Sequence, residues 1–192
     1  MRIIAGIAKG MTLAVPRTGV RPTADRIREA IFSSLGQHVV GAHVLDLFAG
    51  TGAIGLEAAS RGAASVTFVE NARGALACLE KNVETIKRYR ELICPFCVVH
   101  RAAEAQLRKL MTEGEMFSLI FADPPYGEAA QALLCEEALP GILTNDGCLV
   151  LESAKRDALA VDAPWERVRG AVYGDTQVTY LRRAGASANA HG

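Results

Sequence analysis

Three observations predict an α/β fold built on a doubly wound, mostly parallel sheet. From about residue 44 onward, short β-prone runs alternate with helix-length segments, the links between them are short, and the chemically distinctive residues fall at the ends of the predicted strands. Such alternation requires parallel strands joined by right-handed crossovers. In these sheets ligands bind beyond the carboxyl ends of the strands, near the point where strand order reverses.

Taken in order, residues 2–16 carry two β-prone pieces separated by Gly6 and Gly10, which predicts a small hairpin or arm. Pro22-Thr23 opens a helix with Thr23 as its N-cap, and Gly36 closes it. Its apolar face is Ile27, Ala30, Ile31 and Leu35, and its other side presents Asp25, Arg26, Arg28 and Glu29. Strands follow at 44–48, 66–69, 97–101, 117–122 and 148–152, with a tight turn at 49–55 feeding a helix through about residue 61 and further helices at 72–88, 103–112 and 128–139. Two late β-prone runs, 167–173 and 176–182, flank Gly174-Asp175 and predict a closing hairpin, which makes seven strands. Residues 1–36 form an N-terminal extension, 37–183 the main domain, and 184–192 a small, polar tail expected to be disordered.

The 192 residues suffice for one domain with a substantial core, and 50% hydrophobic with 22% charged residues excludes a disordered chain. No apolar run approaches the roughly 20 residues that span a bilayer. The N-terminus lacks the apolar core of a signal peptide, so a cytoplasmic protein is expected. Five cysteines, an odd number, read as reduced core thiols. Cys94 and Cys97 have C-x-x-C spacing, but there is no second pair to complete a zinc site and they precede a strand rather than a helix. No metal is expected. Net charge is zero but uneven: residues 1–35 carry six basic side chains against two acids, the remainder 15 against 19. A basic N-terminal segment suits a polyanion, or is an ordinary solvated face.

Two stretches carry chemistry. After the strand at 117–122 comes Asp123-Pro124-Pro125-Tyr126. The prolines end the ladder and remove two donors, leaving a corner rich in acceptors beside an aromatic face. An ionised carboxylate and a carbonyl accept both hydrogens of a planar exocyclic amine, while base stacking on an aromatic ring contributes about 1–3 kcal/mol. The plain alternative is a proline turn. Upstream, Gly50-Thr51-Gly52-Ala53-Ile54-Gly55 matches G-x-G-x-x-G, with Glu70 placed to accept from ribose hydroxyls. Asp46 at the mouth of that turn repels a pyrophosphate and suits a cationic amino-acid end. S-adenosylmethionine therefore fits better than a nicotinamide dinucleotide, for which the chain also lacks a second domain.

Asp46-Leu47-Phe48-Ala49-Gly50-Thr51-Gly52 with Glu70-Asn71 resembles the cofactor half of Rossmann-like class I S-adenosylmethionine-dependent methyltransferases. Asp123-Pro124-Pro125-Tyr126 resembles the motif of enzymes that methylate exocyclic amines of bases. Arg21-Pro22-Thr23-Ala24-Asp25-Arg26-Ile27-Arg28-Glu29, the opening Arg2-Ile3-Ile4-Ala5-Gly6 with Gly10, and Val172-Tyr173-Gly174-Asp175-Thr176 make the chain, to about residue 183, similar to the bacterial RsmD family. Those enzymes are 16S ribosomal RNA guanine-N(2)-methyltransferases.

The resemblance implies that Asp46, Gly50 and Gly52 surround the methionine part of the cofactor and that Phe48 belongs to the same cofactor site. Glu70 then holds the ribose, Asn71 lies beside the adenine, and backbone near Ala102 and Ala103 completes the adenine pocket. Asp123 and Pro124 hold the target amine, with Pro125 shaping the corner and Tyr126 stacking on the base. Arg2, Lys9, Arg21, Thr23, Asp25, Arg26 and Arg28 face RNA. Met11 departs from the family, which usually has a basic residue there, and Ala102 departs from a polar adenine reader. The implied partner is 16S rRNA in the small subunit or an assembly intermediate, and the implied state a monomer. Kept beside this are an adenine-N(6)-methyltransferase on DNA or RNA, a non-catalytic RNA-binding module and, more distantly, a dinucleotide oxidoreductase.

Overall fold

The computed structural model describes residues 1–16 and 23–185. The fold is α/β with a mixed, seven-stranded sheet. The chain divides into two compact units, Met1–Ala103 and Glu104–Gly192.

The first unit holds the N-terminal arm, α1 (Thr23–Leu35), a 3-10 turn (Gly36–Val39), β1 (His43–Leu47), α2 (Ala53–Ser60), β2 (Ser65–Glu70), α3 (Arg73–Ile86) and β3 (Phe96–His100). Its strands lie in the order β3-β2-β1, and both pairings are parallel. Parallel strands are covered on both faces, which is why β1 reads as an almost continuous apolar run with Val44, Leu45 and Leu47 fully buried.

The arm folds back on itself at an antiparallel bridge, Arg2 with Thr12, with backbone bonds from the Ile3 amide to the Met11 carbonyl, the Gly10 amide to the Ile3 carbonyl and the Leu13 amide to the Met1 carbonyl. Other backbone groups of the arm find partners on helices. The Ile4 and Ala5 amides donate to the Glu57 carboxylate of α2 at 2.7 and 3.0 Å. The Ala8 amide donates to Ser60 Oγ at 2.9 Å, and that hydroxyl donates to the Ala5 carbonyl at 2.6 Å. Gly6, at φ +81°, lies so close that a Cβ would fall 1.8 Å from the Ser60 carbonyl oxygen. These bonds place the arm and α1 inside the first unit.

Arg28 corrects one expectation. It is 2% exposed, pairs with Asp25 at 3.0 Å and with the fully buried Glu57 at 3.7 Å, and donates to the Arg2 carbonyl. The (i, i+3) pairing and the need to neutralise Glu57 turn it inward, so Arg28 and its partner Asp25 tie α1 to α2 and the arm. Arg26 is exposed, as expected. Met11 is buried. Arg21, the Thr23 side chain and tail residues 186–192 lie outside the described residues.

The second unit takes up α4 (Ala103–Glu113), followed by β4 (Phe117–Ala122), α5 (Ala129–Leu134), α6 (Ala138–Gly141), β5 (Leu143–Ala154), β6 (Trp165–Tyr173) and β7 (Thr176–Arg183). Strand order is β4-β5-β7-β6, with β4 parallel to β5 and the β6–β7 hairpin antiparallel. The helix expected over 128–139 is two helices. Pro140 lacks the N–H that a continuous helix would direct to the Glu136 carbonyl, and the chain turns tightly at Cys135–Glu136. The β5 strand begins at Leu143 rather than at 148. Phe117 pairs with Leu143 and Leu119 with Cys148, so the intervening residues on β5 bulge out of the ladder.

Candidate active site

In the first unit, β1 delivers Asp46 and then Phe48 at φ +58°, the non-glycine residue with positive φ among the described residues. A left-handed bulky residue costs about 1–2 kcal/mol, and such strain concentrates at ligand sites. Gly50 and Gly52 are also left-handed. At Gly52 a Cβ would fall 2.3 Å from Leu79 Cδ1, so the tight turn and the packing of α3 both require glycine. Gly55 packs its bare Cα on Phe68 and Val66 of β2.

Side chains fix this loop from three sides. Asp46, 3% exposed, accepts the Gly55 amide on Oδ2 at 2.9 Å, in the first turn of α2 where an acid is favoured. Glu70 at the end of β2 accepts the Gly50 amide on Oε2 at 2.7 Å, and the Asn71 and Ala72 amides on Oε1 at 2.8 and 2.6 Å. Asn82, 1% exposed on α3, donates to the Thr51 carbonyl at 2.9 Å. An ionised carboxylate offers about four acceptor sites, so Glu70 keeps capacity for one more donor, such as a ribose hydroxyl. The His100 ring bonds the Asn71 carbonyl at 3.1 Å and the Arg101 amide bonds the Glu70 carbonyl at 3.2 Å. These bonds bring Asn71 and the Arg101–Ala103 segment to the same strand end as Glu70. Asn71 is exposed and Ala103 buried. A glycine turn with two carboxylates at its mouth fits a cofactor carrying both a cationic amino-acid end and a ribose.

In the second unit, β4 runs fully buried from Leu119 to Ala122 and then emerges. Asp123 and Pro125 are exposed, Pro124 is buried, and Tyr126 keeps 43% of its surface. Asp157 braces the corner by accepting the Gly127 amide at 3.0 Å. Proline rigidity and this brace present a carboxylate and an aromatic face together at a strand end.

Three contributors escape sequence reading: Asn82, Glu57 and Asp157. Asn82 lies on the buried face of α3 with Leu79, Val83 and Ile86. A polar residue at an apolar helical position is the signal that could have found it, since a buried amide requires partners. No group of metal-binding side chains is present among the described residues. Cys94 and Cys97 are free, the first buried and the second exposed; burial pushes the Cys94 thiol up to about 11. Cys97 and Cys135 are exposed rather than core thiols. No helix of the described residues is long and apolar enough to cross a membrane.

The family model described as Conserved hypothetical protein 95 matches residues 1–182. Ribosomal RNA small subunit methyltransferase D of Escherichia coli (strain K12) is 37% identical over 187 residues, covering 94% of this chain and 87% of that protein. The Haemophilus influenzae protein of the same name is 34% identical over 170 residues, covering 86% and 84%. Among solved structures, a hypothetical protein of Thermus thermophilus, TTHA0928, is 34% identical with a TM-score of 0.78, covering 95% of this chain and 99% of that one. The T. thermophilus 16S rRNA N2 G1207 methyltransferase, solved with AdoMet and guanosine, is alike in fold, with a TM-score of 0.63 at 24% identity over 87% of this chain and 44% of that one.

Proposed function

The chain belongs to the Conserved hypothetical protein 95 family, and from that premise we propose that it methylates the exocyclic amine of a guanine in 16S ribosomal RNA, with S-adenosylmethionine as donor. The observation that carries the reading is the Asp123-Pro124-Pro125-Tyr126 corner, intact and exposed at the end of a buried strand, in a chain similar over nearly its whole length to a ribosomal RNA methyltransferase. When bound, the cofactor supplies an electrophilic methyl on a sulfonium. Asp46, Phe48, Gly50 and Gly52 hold its methionine part, Glu70 its ribose, and Asn71 with backbone at Ala102 and Ala103 its adenine. The guanine amine is a weak nucleophile because its lone pair is delocalised into the ring. Asp123 and the Pro124 carbonyl accept its two hydrogens and localise charge on nitrogen, while Tyr126 stacks on the base. Orientation of this kind contributes several kcal/mol to lowering the barrier. The base leaves its stack to reach the corner.

The RNA side of the reading rests on Arg2, Lys9 and Arg26, which are exposed, and on Arg21. Arg28 and Asp25 serve it indirectly by fixing α1. The substrate is the small ribosomal subunit or an assembly intermediate in the cytoplasm, and the enzyme acts as a monomer without a metal. The deciding experiment incubates the protein, labelled S-adenosylmethionine and small subunits lacking the modification, followed by nucleoside digestion. Label in N(2)-methylguanosine is expected. Label in methyladenosine would overturn the guanine assignment, and none despite cofactor binding would favour an RNA-binding module.

A further inference from the structure

The Asn82 side chain touches two parts of the molecule that the proposed reaction uses separately. Its Oδ1 accepts the Ala14 amide at 2.7 Å, and its Nδ2 donates to the Ala14 carbonyl at 3.0 Å and to the Thr51 carbonyl at 2.9 Å. Both donor hydrogens and the acceptor are thereby used, inside a site that is 1% exposed. Ala14 belongs to the arm that carries Arg2 and Lys9; Thr51 is the residue between the two left-handed glycines of the loop.

A hydrogen bond to the Thr51 carbonyl fixes the plane of the Thr51–Gly52 peptide. That plane sets the φ of Gly52, whose carbonyl accepts the Leu56 amide at the start of α2. On the other side of the loop, Glu70 holds the Gly50 amide. With Asp46 on the Gly55 amide, three side chains clamp the loop, and of these Asn82 is the one that also bonds the arm, which meets the loop besides through the Thr51 hydroxyl and Met1 Sδ at 3.8 Å. If the arm lifts, the Asn82 amide loses two of its three partners and becomes free to turn toward water or other groups. Leaving those groups unpaired in a buried site carries the desolvation cost, so arm docking and loop order favour one another.

We infer that Asn82 is a positioning residue that couples the arm to the cofactor loop, so that affinity for the cofactor depends on the arm being docked and the arm is steadied by a bound cofactor. Linkage makes the effect reciprocal. The inference rests on the reading of the loop as a cofactor site.

The test is a double-mutant cycle on S-adenosylhomocysteine affinity, measured by calorimetry. Ala14→Pro removes the arm's N–H and changes nothing in the loop. Asn82→Ala removes the link itself, and Asn82→Asp keeps the volume but lacks both donors. Ala14→Pro is expected to weaken binding at least about five-fold, with no further loss when added to Asn82→Ala, as coupling through one group requires. Asn82→Asp should match Asn82→Ala, raising KM for the cofactor with little change in kcat, and hydrogen exchange in residues 48–56 should quicken in all three variants. Wild-type affinity in Ala14→Pro, or losses that simply add, would overturn the coupling alone. Failure of the wild-type protein to bind S-adenosylhomocysteine would overturn the cofactor reading together with it.

Discussion

Arg26 and Arg28 stand two positions apart on α1 and have opposite fates. Arg28 shares the buried Glu57 carboxylate with Arg61, which lies closer at 2.7 Å, so Arg28→Ala removes the second cation and the bond to the Arg2 carbonyl and should cost about 1–3 kcal/mol in a urea melt. Arg26 is exposed, so Arg26→Ala should leave stability within about 0.5 kcal/mol, while weakening RNA binding and flattening its salt dependence by about one unit of slope. An unchanged RNA affinity would assign Arg26 to the solvated face alone. Asp123→Ala should lower methyl transfer by about 100-fold or more with S-adenosylhomocysteine binding nearly intact, because the residue contributes acceptors to the reacting amine. Equal loss of both would remove it from that role. Among the thiols, burial holds Cys94 at about 11 and Cys148 at about 12, whereas Cys97 and Cys135 are exposed. Iodoacetamide at pH 8 should therefore label Cys97 and Cys135 ahead of Cys94 and Cys148 in the folded protein, the fifth thiol, Cys78, being half-buried. The raised thiols keep their protons in the folded chain and lose them near 9 in the unfolded one. Their contribution to stability is thus complete below pH 9 and declines as pH rises toward 11–12.

At the scale of elements, the arm shows how much depends on one close approach. Gly6 and Gly10 are both left-handed, at φ +81° and +88°, yet a Cβ on Gly6 would meet the Ser60 backbone while one on Gly10 would meet nothing within 4 Å. Gly6→Ala should cost about 2–4 kcal/mol and Gly10→Ala about 1–2 kcal/mol by denaturant titration, the difference being the steric clash beyond backbone strain. The parallel strands and long helices were legible because periodicity and punctuation are local: β4 occupies the expected 117–122. The start of β5 was not, since Asn145-Asp146-Gly147 is a sound turn signal that here forms a bulge within a paired strand. Splitting of the 128–139 helix was readable in part, through Pro140. The small hairpin or arm expected of residues 2–16 is present, its limbs joined by the Ile3–Met11, Gly10–Ile3 and Leu13–Met1 backbone bonds, but its anchoring on Glu57 and Ser60, more than 50 residues away, was not legible.

For the whole molecule, the choice between cofactors is a question of which ligand stabilises the fold. S-adenosylhomocysteine at about 100 times its Kd should stabilise the protein by about 2.7 kcal/mol and raise the melting temperature, while NAD should not. The reverse order would return the glycine loop to a dinucleotide. The amino-acid sequence by itself determined the α/β class, the seven strands, the glycine turn with its two acids and the Asp-Pro-Pro-Tyr corner. Each of these follows from local propensity, from hydrophobic period or from residue types a few positions apart. Only the tertiary structure decided the work of polar groups whose partners are remote in sequence. It turned Arg28 inward to Glu57, set Asn82 between Ala14 and Thr51, and gave Glu70 three backbone amides to hold. The physical reason is that a buried polar group must find a partner wherever the folded chain places one, and residue spacing does not encode that place.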